Sequence, residues 1–331
     1  MRALAARLKP RLPLLLVLLG LALLLWSLRQ VSLAETWAVL RRLTLGQLLL
    51  LALANGLVLL PLIGRWWVIL VAQGYRLPLR ALAGYRLAAF GVSYFTPGPQ
   101  FGGEPVQVLR VQRRHGVPAP AALAAVTLDK ALELLANFTF LAAGVVYVLY
   151  LRLLPQVSAA QVVPLALLLL AFPAGFLLAT WAGLYPVTRL LGGVGRWWYG
   201  GMVPAGRWQR LSAQAQATEM LTTRFCRHHP RALLLSLLLS GLSWLALVAE
   251  FWLSWRFLGL PLSLGQAVAL LLATRVALLL PSPGGLGTLE AALVLGLRGL
   301  GFDPAGGLSM AILIRARDLL LGGVGLWQLA R

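Results

Sequence analysis

The sequence predicts an all-α, polytopic integral membrane protein with about six full spans and two re-entrant helical hairpins, arranged as an inverted repeat with both termini cytoplasmic. Three observations predict it. The 331 residues are 60% apolar and only 11% charged, whereas a soluble domain carries roughly a quarter charged residues. Several apolar runs approach or exceed the ~20 residues that cross a bilayer. Two segments, 97–104 and 283–290, each read Pro-Gly, five residues, then Glu, inside long apolar stretches.

The elements follow in chain order. Arg2, Arg7, Lys9 and Arg11 precede an apolar run from Leu12 to Trp26. The run is followed by Ser27-Leu28-Arg29-Gln30 with no small-x-small cleavage pattern, so a retained first span is expected rather than a signal peptide. Full spans are expected at about 12–28, 46–63, 128–151, 162–184, 232–257 and 305–330. Regions 79–115 and 264–300 each hold an apolar arm, a Pro-Gly break and a second arm that is too polar or too short to cross. Glu104 to His115 contains Arg110, Arg113 and Arg114, and Thr288 to Leu300 has 13 residues; apolar stretches of ~10–14 residues favour re-entrant segments. The whole of 1–331 is one membrane domain, with 1–155 as the first repeat and 156–331 as the second. The polar stretch Pro186 to Arg231 is too short and irregular for a soluble domain, although Trp208, Leu211, Leu221 and Phe225 are placed to form an interfacial helix.

Loop charge supports this count. With the N-terminus inside, the inward segments hold Arg76, Arg80, Arg86, Arg110, Arg113, Arg114 and the seven arginines of 186–231, while the outward ones hold Arg29, Arg41, Arg42, Arg152, Arg256 and Arg298. That is the positive-inside distribution. Three crossings per half is an odd number, so the halves run in opposite directions. The first hairpin then enters from the cytoplasm, the second from outside, and their tips meet near the midplane. Trp26, Trp37, Trp181, Tyr185, Trp197 and Trp198 fall near span ends, where aromatic anchors sit.

The formal charge of +20 excludes little by itself. There is no basic domain to dock on a duplex, so nucleic acid is rejected, and the arginines are expected to set orientation and attract anionic lipid. Cys226 is the only cysteine, which excludes an intrachain disulfide. His115, His228 and His229 offer no metal-ligand spacing with it. No activated nucleophile, cofactor motif or nucleotide loop is present, because Gly285-Leu286-Gly287 follows no strand. An enzyme is therefore not expected; the one acid–base pair on offer is Asp129 with Glu133.

Six of the nine acidic residues lie in apolar context: Glu104, Asp129, Glu133, Glu250, Glu290 and Asp318. An acid at a span centre costs about 2.5–3.5 kcal/mol on insertion scales. Asp129 and Glu133 stand four apart on one helical face, with Lys130 between them, and Arg315, Arg317 and Asp318 share the last span. Each hairpin glutamate is followed by such a cluster, Asp129 at 25 residues after Glu104 and Asp318 at 28 after Glu290. Two readings stay open. These eight side chains (Glu104, Asp129, Lys130, Glu133, Glu290, Arg315, Arg317, Asp318) line a substrate path with the breaks at Pro97, Gly98, Gly103, Pro283, Gly284, Gly285 and Gly287. Alternatively, Glu104 and Glu290 cap the second arms and the clusters are structural ion pairs. Glu250 has no evident partner, and Arg65, followed by Trp66 and Trp67, reads as an interface side chain that snorkels.

The chain resembles the transmembrane flippase domain of lysylphosphatidylglycerol synthetases and its stand-alone bacterial and archaeal relatives. The resemblance runs through Arg65-Trp66, Thr96-Pro97-Gly98, Gly103-Glu104 with Arg110, Gly116-Val117, Leu128-Asp129-Lys130 with Glu133, and Pro281-Ser282-Pro283-Gly284-Gly285-Leu286-Gly287 with Glu290-Ala291-Ala292. Where the family commonly has Glu-Arg and then Asp, this chain has Asp129-Lys130 and Glu133, a point charge in place of a bidentate fork. The resemblance implies movement of an anionic, aminoacylated or polyprenyl-linked lipid between leaflets of the cell membrane, without ATP. It implies no cofactor, and it leaves open a non-transporting lipid-binding regulator or a partner of a lipid synthase. A soluble aminoacyl-transferase domain is not expected.

Overall fold

The computed structural model describes residues 21, 23–29, 31–96, 102–150, 159–198, 205–280 and 283–330. Pro97 and Gly98, and most of the expected first span 12–28, lie outside the described residues. The described residues are α-helical apart from short connections and one 3-10 turn. After a helical stretch at 23–29 come α1 (Leu33–Leu40), α2 (Leu45–Ala72), α3 (Leu79–Phe95), α4 (Glu104–His115), α5 (Ala119–Tyr150) and α6 (Ala159–Ala182). These are followed by α7 (Pro186–Trp198), α8 (Ala205–His228), α9 (Pro230–Phe257), α10 (Leu264–Ala277), the turn Pro283–Gly285, α11 (Thr288–Gly299) and α12 (Pro304–Ala330).

Three helices, α2, α5 and α9, are long and apolar enough to cross a membrane, and the bent pair α6–α7, turned by 93°, makes a fourth if counted as one span. Only 22%, 28% and 17% of their most apolar windows are buried, so most of those apolar faces are left for lipid. On α2 these are Leu49, Leu53, Leu57 and Leu60, and on α9 Leu234, Leu238, Leu242 and Leu245. Helix α12 has the length, 27 residues, but carries Arg315, Arg317 and Asp318 in mid-course.

Several expected boundaries move for identifiable reasons. Helix α2 runs nine residues beyond the expected 63 to Ala72, and Arg65 within this extension is neutralised inside the protein by Asp129. Helix α5 starts at Ala119, so Asp129 and Glu133 sit well inside it rather than at its opening. The described residues of 186–231 are largely helical rather than irregular. They form α7 and α8, joined by Glu219, whose carboxylate accepts from the Val187 and Thr188 amides at 2.7 and 3.0 Å. Helix α8 packs on α5 and α6, with Phe225 and Cys226 buried against Trp66, Leu128 and Leu132.

Two cores result. One joins α2–α5 with α8 around Trp66, Leu70, Leu82 and Leu128. The other joins α9–α12 around Trp255, Leu270, Leu293 and Met310. Between them α2 lies along α9, and α3 along α12. Asn55 meets Glu250, Val58 meets Ser243, and Arg65 meets Ser240, so α2 and α9 run antiparallel. Both are 28 residues long, Leu45–Ala72 and Pro230–Phe257, starting 185 positions apart. The same offset relates the positive-φ glycines that follow them, Gly74 and Gly259. It also relates two indole bonds: Trp67 Nε1 donates to the Leu77 carbonyl at 3.1 Å, and Trp252 Nε1 to Leu262 at 3.0 Å.

The α3–α12 crossing depends on small residues. A Cβ at Gly325 would lie 2.0 Å from the Leu87 carbonyl, and one at Gly91 2.7 Å from that of Gly322, so the backbones touch as in small-xxx-small membrane contacts.

Candidate functional site

Both broken segments place their glutamates by local chemistry. On the first, Gly103 packs so closely on α3 that a Cβ would fall 2.0 Å from the Ala89 carbonyl. Its amide donates to Ser93 Oγ at 2.9 Å, and the Gly102 amide donates to Glu104 Oε2 at 2.8 Å. On the second, Gly287 precedes α11 and donates to Glu290 Oε2 at 2.9 Å. Glu290 thus caps its own arm, as one of the two readings of the sequence anticipated, whereas Glu104 holds the Gly102 amide just before α4 rather than an amide of the helix itself. The turn Pro283–Gly285 is left-handed at Gly284, with φ of 55°, and lies on Tyr94 of α3, whose ring would be 2.9 Å from a Cβ there.

A first charge assembly ties α2, α3, α4 and α5 together. Asp129 accepts from Arg65 Nε at 2.7 Å and from Arg86 Nη1 at 2.7 Å. Glu133 accepts from Arg86 Nη2 at 3.1 Å and Lys130 Nζ at 2.9 Å, with Arg65 Nη2 at 3.6 Å. Lys130 also reaches Glu104 at 3.3 Å, so the hairpin glutamate joins the cluster on the next helix. The pairing of Asp129 and Glu133 on one helical face was legible. The roles of Arg65 and Arg86 were not. Arg65 is 1% exposed, no snorkelling side chain but a buried one, and its Nη1 continues to Ser240 Oγ on α9 at 3.0 Å.

A second assembly ties α9, the Pro-Gly turn, α11 and α12. Arg315 pairs with Glu290 through Nε and again through Nη2 at 3.0 Å. Its remaining donors go to the carbonyls of Gly284 and Gly285, both at 3.2 Å, and to Tyr94 Oη at 3.3 Å. One arginine therefore satisfies the carbonyls released by the break and the carboxylate capping the next helix, which is what broken backbone inside protein at membrane depth requires. Arg317 pairs with Glu250 at 2.9 Å and with Asp318 at 2.9 Å. Glu250 also accepts from Asn55 of α2 at 3.3 Å. The partner that sequence could not name for Glu250 is 67 residues away on another helix.

The two assemblies meet at the α2–α9 seam. There Arg65–Ser240 and Asn55–Glu250 are reciprocal contacts, since residues 65 and 250, and 55 and 240, are each separated by the same 185 positions as Val58 and Ser243.

With this geometry in view, the comparison with known families is decisive. The model of the lysylphosphatidylglycerol synthase TM region matches residues 13–325. The chain belongs to this family. Its match takes in both breaks and every charged residue of the two assemblies, and it supports a lipid-related role in the membrane. Comparison with curated proteins and with solved structures finds no match.

Proposed function

We propose that this protein moves an anionic, aminoacylated or polyprenyl-linked lipid between the leaflets of the cell membrane. The path would run along the seam between two inverted halves, past the Pro-Gly breaks. In this reading six spans and two re-entrant hairpins place both termini in the cytoplasm. The 185-residue offset shared by α2 and α9, their glycines and their tryptophan bonds supports the repeat. The observation that carries the functional reading is the turn Pro283–Gly285, an irregular backbone among membrane helices, docked on Tyr94 of the opposite hairpin and held by Arg315. Transporters use such broken elements at the interface of inverted repeats.

Glu104, Asp129, Lys130, Glu133, Glu290, Arg315, Arg317 and Asp318 would border the path, with Arg315–Glu290 the contact that must rearrange for a headgroup to pass. We assign the chain no reaction and no cofactor. The test is leaflet exchange of fluorescent lipids by purified protein in liposomes, comparing wild type with Glu290→Gln and Gly284→Leu. Loss of exchange in both, in protein that still folds, is expected; exchange at the wild-type rate in both would remove the proposed path. A non-transporting, lipid-binding role keeps one specific observation, the sharply turned helix α7 with Arg189 and Arg196. Reversing those two charges without effect on a phenotype would remove it.

A further inference from the structure

Six cations belong to the buried polar region: Arg65, Arg86, Lys130, Arg275, Arg315 and Arg317. Five are in ion pairs with named carboxylates. Among the described residues Arg275 forms none. It sits in the last turn of α10, directly before the broken segment. Its guanidinium lies over the Trp244 ring, 4.9 Å from the centroid, and Trp244 is itself stacked on Phe140 at 4.5 Å. The ring face and the carbonyl end of α10 hold the group in position, but neither supplies a full negative charge.

The other half shows what such an arginine ordinarily does. Helices α3 and α10 begin 185 positions apart, at Leu79 and Leu264, and Arg275 lies one turn further along its helix than Arg86. Arg86 is clamped between Asp129 and Glu133 of α5. On the second half, α12 presents Arg315 and Arg317; the neighbouring charge that acts most strongly on Arg275 is Arg317, another cation, and the carboxylates of Asp318, Glu133 and Glu250 act on it in the opposite sense without forming an ion pair with it among the described residues. Arg317 in turn is already engaged by Glu250 and Asp318. Near the breaks, the Gly102 amide is engaged by Glu104 and the Gly287 amide by Glu290. What is left to receive an anion is the Arg275 guanidinium, pre-oriented on an aromatic face.

We infer that Arg275, backed by Trp244 and Phe140, is the subsite for a phosphate-type oxyanion, the phosphodiester of the transported lipid's headgroup. The inference rests on the translocator reading and names the group that would take its anion. A guanidinium matches such an oxyanion bidentately where the surrounding medium is dry.

The test is calorimetric titration of detergent-solubilised, full-length protein with three probes: short-chain phosphatidylglycerol, diacylglycerol of the same chains, and inorganic phosphate. Arg275→Gln is expected to weaken phosphatidylglycerol by at least about tenfold and leave diacylglycerol unchanged, while Arg275→Lys recovers part of the loss. Inorganic phosphate that binds through Arg275 while phosphatidylglycerol does not would keep the oxyanion site but assign it to free phosphate. Equal phosphatidylglycerol affinity in wild type and Arg275→Gln, or equal losses for both lipids, overturns the inference. Should the variant fail to fold, phenylglyoxal modification of Arg275 in wild type, mapped by mass spectrometry, decides instead. Protection by phosphatidylglycerol but not diacylglycerol supports the site, and no protection overturns it. Leaflet exchange on the same preparations separates the two readings. Arg275-dependent binding without exchange removes translocation alone, and wild-type exchange and binding in Arg275→Gln removes this site alone.

Discussion

At the scale of single residues, the buried ions dominate. Arg65 is 1% exposed and its shortest carboxylate contact is Asp129. Asp129→Asn strands that charge among apolar side chains, and removing one partner of a buried pair costs about 3–5 kcal/mol. Thermal unfolding in detergent should show this as a large fall in midpoint, whereas an unchanged midpoint would mean that Glu133 suffices. Gly284→Ala meets two obstacles, a left-handed backbone and the Tyr94 ring. The backbone alone costs about 1–2 kcal/mol, so this smallest of changes should lower stability measurably. The charges themselves were legible, since six acids in apolar sequence had to find partners. The local partners were legible too, Lys130 for Glu133 and Arg317 for Asp318; the distant ones were not, because Arg65 to Asp129 spans 64 positions and Arg317 to Glu250 spans 67, and periodicity reports only neighbours three or four apart. Arg65 was misread for the same reason: beside Trp66 and Trp67 it carries the local signature of an interface, and only the fold brings Asp129 to it.

At the scale of elements, close approach decides what is tolerated. At Gly325 a side chain would strike the Leu87 carbonyl, so Gly325→Leu must push α12 from α3. Overpacking of this kind costs about 1–3 kcal/mol, and a fall in the unfolding midpoint larger than that of the uncrowded Gly323→Leu checks it. Helix α8 makes a different prediction. Cys226 is 4% exposed, and burial pushes its thiol up to about 11. Thiolate is the reactive form, so maleimide labelling of native protein should be slow at neutral pH and rise as pH climbs toward 11, with rapid labelling after denaturation. Fast neutral labelling of folded protein would show that α8 is not packed as described. The sequence offered a helix through Trp208, Leu211, Leu221 and Phe225 but not its packing, because Ala205–His228 is polar on average and nothing local shows what buries Phe225. The outer ends of α3, α4, α10 and α11 were legible to within a residue or so, since Pro and Gly lie near them without reference to any partner.

At the scale of the whole molecule, the proposed topology assigns opposite sides to matching helices. Single cysteines at Arg113 on α4 and Arg298 on α11, in a Cys226→Ser background, should label from opposite faces of sealed vesicles with a membrane-impermeant reagent. Labelling from the same face would remove the inverted arrangement. Sequence pointed to the proposed repeat at its two Pro-Gly breaks, in the charged cluster after each glutamate and in the matching count of spans. The longer correspondence, α2 with α9, is built from leucines with little identity to compare, and it emerged from lengths, turns and bonds rather than letters.

The reciprocal seam has one further consequence. Along it Arg65 and Glu250 hold equivalent positions with opposite sign, as Asn55 and Ser240 hold equivalent positions without charge. Two copies of the first half joined the same way would set Arg65 opposite Asn55 twice, with no carboxylate contributed across the join; two copies of the second would set Glu250 opposite Ser240 twice, with no amide or cation contributed across it. The halves are complementary rather than interchangeable, so a gene divided between codons 150 and 159 should yield fragments that recover each other when co-expressed and find no substitute in themselves.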